Sequence, residues 1–109
     1  MKNLIQDGKT IQYKVTDTSV KSGDIVVIED IAGIAVTDGA AGETIALNVE
    51  GVYRLPKDTG ALNQGKKVYV KNTDGVKTIV GTATGNTFIG YAWATASAAD
   101  TSVDVKLSY

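Results

Sequence analysis

The chain has 109 residues, 11 basic and 12 acidic side chains, a formal net charge of −1, and neither cysteine nor histidine. The length argues for one domain over residues 1–109, and the balanced charge leaves no basic excess to drive nucleic-acid binding by counterion release. Without cysteine or histidine there can be no disulfide framework, no thiolate or imidazole metal site, and no Ser-His-Asp or Cys-His nucleophile.

The start, Met1-Lys2-Asn3-Leu4-Ile5-Gln6-Asp7, has no apolar stretch of the kind that makes a signal peptide. Residues 1–6 read either as an extended N-terminal arm or as the first strand of the body. Ile11, Tyr13 and Val15 then alternate with Gln12, Lys14 and Thr16, the period of a strand with one buried face. A turn at Ser22-Gly23-Asp24 precedes strands predicted over residues 24–29 and 31–37. Turns at Asp38-Gly39 and Ala41-Gly42 lead to a long strand over 44–55, with Gly51 inside it as a bulge or bend. Pro56 ends that strand, and 57–64 is expected to make a short helical turn stopped by Gly65. Strands over 66–71 and 76–80 flank Asp74-Gly75, a pair suited to a two-residue hairpin turn. Gly85-Asn86 marks the next turn, and strands over 87–95 and 102–109 complete the chain. Helical periodicity is nearly absent. About eight short strands with regular turns predict an all-β fold, a small barrel or a sandwich. No apolar run approaches the ~20 residues that would cross a membrane, so no membrane partner is expected.

One internal echo stands out. Gly33-Ile34-Ala35-Val36 and Gly90-Tyr91-Ala92-Trp93 align at an offset of 57, as do Glu43-Thr44 and Asp100-Thr101. Either two related hairpins pack across a pseudo-dyad, or the match is chance in a chain rich in Ala, Gly and Thr.

Few segments invite a chemical reading. Gly60-Ala61-Leu62-Asn63-Gln64-Gly65-Lys66-Lys67 matches a phosphate-binding loop except at its last position. There Lys67 replaces the hydroxyl residue that holds magnesium. The segment also opens a strand where such a loop opens a helix. Asp24, Glu29, Asp30, Glu43, Glu50, Asp100 and Asp104 could in principle pair for acid-base work, but most fall at turns or on wet strand faces. Lys21-Ser22 lies in a turn, a poor place for a desolvated lysine. Asn72-Thr73-Asp74-Gly75 supplies too few oxygens for calcium. No catalytic, cofactor or metal residue is assigned, and the protein is not expected to be an enzyme.

The remaining candidates are surfaces. Lys67, Tyr69 and Lys71 share one strand face, as a base-stacking groove or an ordinary wet face would require. Tyr91 and Trp93 alternate on the strand over 87–95, as a glycan platform or as interface aromatics. Ala92 and Ala94 on the other face are small enough for close packing of a second sheet or subunit.

Taken in order, several segments together resemble the DUF2190 family of phage capsid cement or decoration proteins. They are Asn3-Leu4-Ile5-Gln6-Asp7-Gly8, Ser22-Gly23-Asp24-Ile25-Val26-Val27, Gly33-Ile34-Ala35-Val36, Ala41-Gly42-Glu43, Val49-Glu50-Gly51-Val52-Tyr53-Arg54-Leu55-Pro56-Lys57, Gly65-Lys66-Lys67-Val68-Tyr69-Val70 and Ile89-Gly90-Tyr91-Ala92. The resemblance covers nearly the whole chain. It implies a β-rich structural protein of the virion, made in the bacterial host cytoplasm. Such a protein would bind the outer surface of the assembled head through the major capsid protein, as a homotrimer. It carries over no catalytic residue and no cofactor. On this reading Lys2, Asn3, Leu4, Ile5, Tyr69, Tyr91 and Trp93 are the expected capsid or subunit contacts, with the N-terminal segment able to add a strand to a shell sheet. The alternative is a β-barrel binding module for single-stranded nucleic acid or a surface glycan.

Overall fold

The computed structural model describes residues 9–16 and 19–108; Lys2, Asn3, Leu4 and Ile5 lie outside them. Among the described residues every regular element is a strand: β1 Thr10–Lys14, β2 Ile25–Ile28, β3 Ile31–Ala35, β4 Thr44–Asn48, β5 Gly51–Pro56, β6 Lys67–Thr73, β7 Val76–Val80, β8 Thr87–Ala92 and β9 Ser102–Leu107. They form a four-stranded sheet, β1-β4-β3-β2, and a five-stranded sheet, β5-β9-β8-β6-β7. All named pairs are antiparallel. The second sheet curls until Lys57, just past β5, bridges Ile79 of β7. The all-β expectation therefore holds, in the form of a curled half-barrel packed with a second sheet.

Two details differ from the sequence-based expectation. The long strand over 44–55 is two strands in different sheets. Gly51, at φ +111°, turns the chain between them. This left-handed backbone is open to glycine and costly for other residues. The helical turn expected over 57–64 is absent. Its amide groups bond across the fold instead: Lys57 N–H to the Thr101 carbonyl, Asp58 N–H to Ile79, and Leu62 N–H to Ala96. Long-range pairing takes the donors that a local turn would have used.

The weak echo in the sequence proves to be a structural repeat. Strand order β1-β4-β3-β2 matches β5-β9-β8-β6, each a first strand beside a fourth, a third and a second. The bridge Val20–Gly39 recurs as Leu62–Ala96, 42 and 57 residues further on. Gly23 N–H donates to the Ala35 carbonyl at 2.8 Å, as Gly65 N–H donates to Ala92 at 2.7 Å. The loop after the third strand is closed by Ala40 N–H to the Glu43 carboxylate, and in the second half by Ser97 N–H to the Asp100 carboxylate. The two offsets differ by 57 − 42 = 15 residues, which accommodates β7 and its turns. β7 and its turns are thus an addition to the second half, with no counterpart among the described residues of the first. The two-residue turn of the β6–β7 hairpin is Asp74-Gly75, both at positive φ, as the sequence suggested.

Each half buries its own residues. Val15, Val26, Ala35, Ile45 and Leu47 form the core of the first. Leu55, Leu62, Val68, Val70, Ile79, Ile89, Val103, Val105 and Leu107 are among those of the second. Ile25, Ala32 and Ile34 of the first sheet belong to this second core, so the outer face of β2–β3 is what joins the halves.

Candidate interaction surface

Tyr69 on β6 and Tyr91 on β8 lie half-buried on the outer face of the five-stranded sheet, with Phe88 between them. The Tyr69 and Phe88 ring centroids are 5.8 Å apart at 64°, and those of Phe88 and Tyr91 are 5.7 Å apart at 80°. Both are edge-to-face contacts that hold the three rings in fixed orientation. Strict alternation would put residues 88 and 91 on opposite faces. The register shift opposite Val68 and Tyr69 adds one residue to β8, with Ile89 turned into the core, and this brings Phe88 round beside Tyr91. Phe88 was missed in the sequence because nothing local marks this bulge except Gly90.

Gly90 is required by the same geometry. A Cβ there would fall inside the carbonyl of Lys106 on β9. Its counterpart Gly33 stands against the carbonyl of Asn48, at 3.0 Å from an added Cβ.

Trp93 sits just past the end of β8, not inside a strand as expected, and is 53% exposed. Its N–H donates to the Asp104 carbonyl at 2.8 Å, and its own carbonyl accepts from Gln64 Nε2 at 3.2 Å, so its backbone is fixed while its ring meets solvent. Charged groups frame the aromatics. Lys67 lies opposite Tyr91 on one side and Lys106 on the other. Arg54 pairs with Asp104 at 2.9 Å, and this hydrogen bond and charge raise the guanidinium pKa further. Lys71 pairs with Asp58 at 3.1 Å. The Asp58 carboxyl is held below its ordinary range, first by the Thr59 N–H and then by Lys71.

The structural repeat gives this face its meaning. Tyr69, Tyr91 and Trp93 correspond to Val27, Ile34 and Val36 of the first half. In the first half Ile34 is buried and Val27 is packed against the second core. Val36, like its counterpart Trp93, is exposed, so the positions that differ are those of Val27 and Ile34, which the first half turns against the second core and the second half gives to half-buried aromatic rings on its outer face. Of these side chains Trp93 is exposed, and Tyr69, Phe88 and Tyr91 are half-buried.

The other segments with a chemical reading resolve into structure. Gly60 and Gly65 of the near-match to a phosphate-binding loop both have positive φ, and Lys66 leads directly into strand β6. Asn72 Oδ1 accepts the Gly75 N–H, closing the hairpin turn. No cluster of acidic residues able to hold a metal occurs among the described residues.

Residues 5–107 match the family model described as phage cement protein. No curated protein and no solved structure matches the chain.

Proposed function

The chain belongs to the phage cement protein family, and from that premise we propose that it decorates the outer surface of an assembled phage head and stabilises it. On this reading it is made in the host cytoplasm and joins the virion as a homotrimer on the major capsid protein. It acts by binding and not by turnover. The observation that carries the reading is the aromatic cluster of Tyr69, Phe88 and Tyr91 on the outer face of the five-stranded sheet, with the exposed Trp93 just past the end of β8. A rigid aromatic patch with a charged rim suits a protein surface better than a small-molecule cleft. A trimer engaging several shell subunits at once gains avidity from contacts that are individually weak.

The test uses undecorated heads and the purified chain. The expected result is saturable binding and a higher temperature of head disruption. Heads that bind the chain yet break at the same temperature would leave decoration without cementing, and heads that do not bind it would overturn both.

A second reading rests on Lys67, Tyr69 and Lys71, whose shared face could stack bases of single-stranded DNA. Lys71 is already paired with Asp58, which weakens this reading. Binding that falls steeply with salt would restore it. The exposed Trp93 allows a glycan in the same way, and quenching of its fluorescence by added oligosaccharide would report it.

A further inference from the structure

Charge is divided unevenly along the chain. Residues 1–50 hold four basic and eight acidic side chains, and residues 51–109 hold seven and four, so the net charge of −1 splits into −4 and +3. Within the molecule the two signs do not neutralise each other. Among the described residues the ion pairs are Arg54–Asp104 and Lys71–Asp58, and both lie inside the second half.

The surplus cations have a definite place. Lys106 of β9, Tyr91 of β8 and Lys67 of β6 are cross-strand partners in one row on the outer face of the five-stranded sheet. Directly opposed side chains start about 5 Å apart, so the two lysines flank Tyr91 with their Cβ atoms roughly 10 Å from each other. Lys67 is exposed and meets no carboxylate among the described residues, and Lys106 Nζ donates to the neighbouring Leu107 carbonyl at 3.2 Å. Half-buried rings between cations that lack counter-charges make a face complementary to a protein surface that carries carboxylates.

The first half has such a surface. Its Asp24, Asp38 and Glu43 carboxylates are taken up in local turns, where they accept the N–H groups of Lys21, Ser22 and Ala40. Glu29, Asp30 and Glu50 are exposed and make no ion pair among the described residues. Glu29-Asp30 is the β2–β3 turn, beyond the pair Ile28–Ile31. Because β4 runs antiparallel to β3, Glu50, two residues past its end, comes to the same end of the sheet. Lys9, whose carbonyl accepts the Val49 N–H, is the described cation there, outnumbered by the three carboxylates. Glu29 stands at φ +51°, a left-handed backbone where glycine would be unstrained, so the tip carries its carboxylate at a cost in stability.

The first half meets the second on the inner side of the five-stranded sheet, through Ile25, Ala32 and Ile34, and the lysine row is on the other side. We propose that the acidic end of one copy, Glu29, Asp30 and Glu50, docks on the Lys67–Tyr91–Lys106 row of a second copy. This rests on the reading of the aromatic face as a protein contact, and it assigns that contact to another copy of the chain. The two surfaces are different, so the contact is head-to-tail, and it gives a ring where the rotation closes. A ring of three is the form of the proposed homotrimer.

The mass of the purified chain in solution, measured without heads over a range of concentration and salt, tests this. The parent chain should associate at low salt and dissociate as salt rises. Lys67→Glu with Lys106→Glu, and separately Glu29→Lys with Asp30→Lys, should each weaken association by roughly tenfold or more, and all four reversals in one chain should restore it. Glu29→Gly removes a carboxylate and the backbone strain together, so its association should fall by roughly threefold while its thermal unfolding temperature does not fall. A parent chain that stays monomeric, a reversed pair with unchanged mass, or a folded fourfold variant that does not reassociate overturns the proposal. Where a reversed chain does not fold, Glu29→Gly decides, and association equal to that of the parent overturns it. A monomeric chain that still binds and stabilises heads would remove this proposal and keep the cement role; an associating chain that leaves heads unbound would do the reverse.

Discussion

Gly90 lies beneath the main-chain carbonyl of Lys106 so closely that no side chain fits between the two strands. This contact lets β8 carry its extra residue while Val105 and Leu107 of β9 stay in the core. The aromatic surface depends on it, because the same bulge sets Phe88 beside Tyr91.

Gly90→Ala therefore destabilises the fold by about 3 kcal/mol or more, since the obstacle is backbone and cannot rotate away. Gly33→Ala, whose Cβ would stand 3.0 Å from the Asn48 carbonyl, costs about 1 kcal/mol. Urea unfolding of the two variants measures the difference, and equal losses would contradict the geometry.

Lys57 is the buried charged residue of the described chain, 7% exposed, where the first half has Val15. Its Nζ donates to the carbonyls of Asp58 at 2.8 Å and Asp100 at 3.3 Å. Lys57→Ala is expected to cost about 1–3 kcal/mol through lost stem packing and two unsatisfied carbonyls. Lys57→Met keeps the stem and should recover much of that loss in thermal unfolding.

Asp58 gives a pH dependence. Its folded pKa is lowered, so the contribution to stability is complete above the ordinary carboxylate range and is lost as pH falls through the lowered value. Lys71→Met should raise the Asp58 midpoint only part of the way, because the Thr59 N–H is the larger cause and remains. A carboxyl-carbon NMR titration of both chains reads this directly. A midpoint that returns fully to the ordinary range would show that Lys71 alone had set it.

Tyr69→Ala and Tyr91→Ala each remove one edge-to-face partner of Phe88. Both should weaken binding to undecorated heads by roughly tenfold, with a stability loss of about 1 kcal/mol. Co-sedimentation with heads against the parent chain measures the first and thermal unfolding the second. Loss of stability with unchanged binding would make the ring cluster purely structural.

The strand positions were largely legible, because a sheet with one wet face writes its period of two into the sequence. Ile11, Tyr13 and Val15, Lys67 to Lys71, and Val103 to Leu107 all follow that rule, and Asp74-Gly75 announced its hairpin. The errors fell where distant pairing overrode local preference. Gly51 separates two sheets although the flanking residues read as one strand, and the segment after Pro56 bonds to Ile79 and Ala96 in place of coiling. Of the expected contact residues, Tyr69, Tyr91 and Trp93 lie on one half of the fold with Phe88 added. Lys2, Asn3, Leu4 and Ile5 fall outside the described residues.

By itself the sequence determined the fold class, the absence of thiol and imidazole chemistry, and the family resemblance. Each of these depends on composition, local period or the order of short segments. Only the tertiary structure decided that the chain repeats itself, because the two halves share few identical residues and are related by hydrogen bonds between distant segments. It also decided that Ile34 is buried while its counterpart Tyr91 is only half-buried. No local property of Ile34 or Tyr91 carries that distinction. It follows from which sheet the chain folds against, and so from the burial of apolar area across the whole molecule.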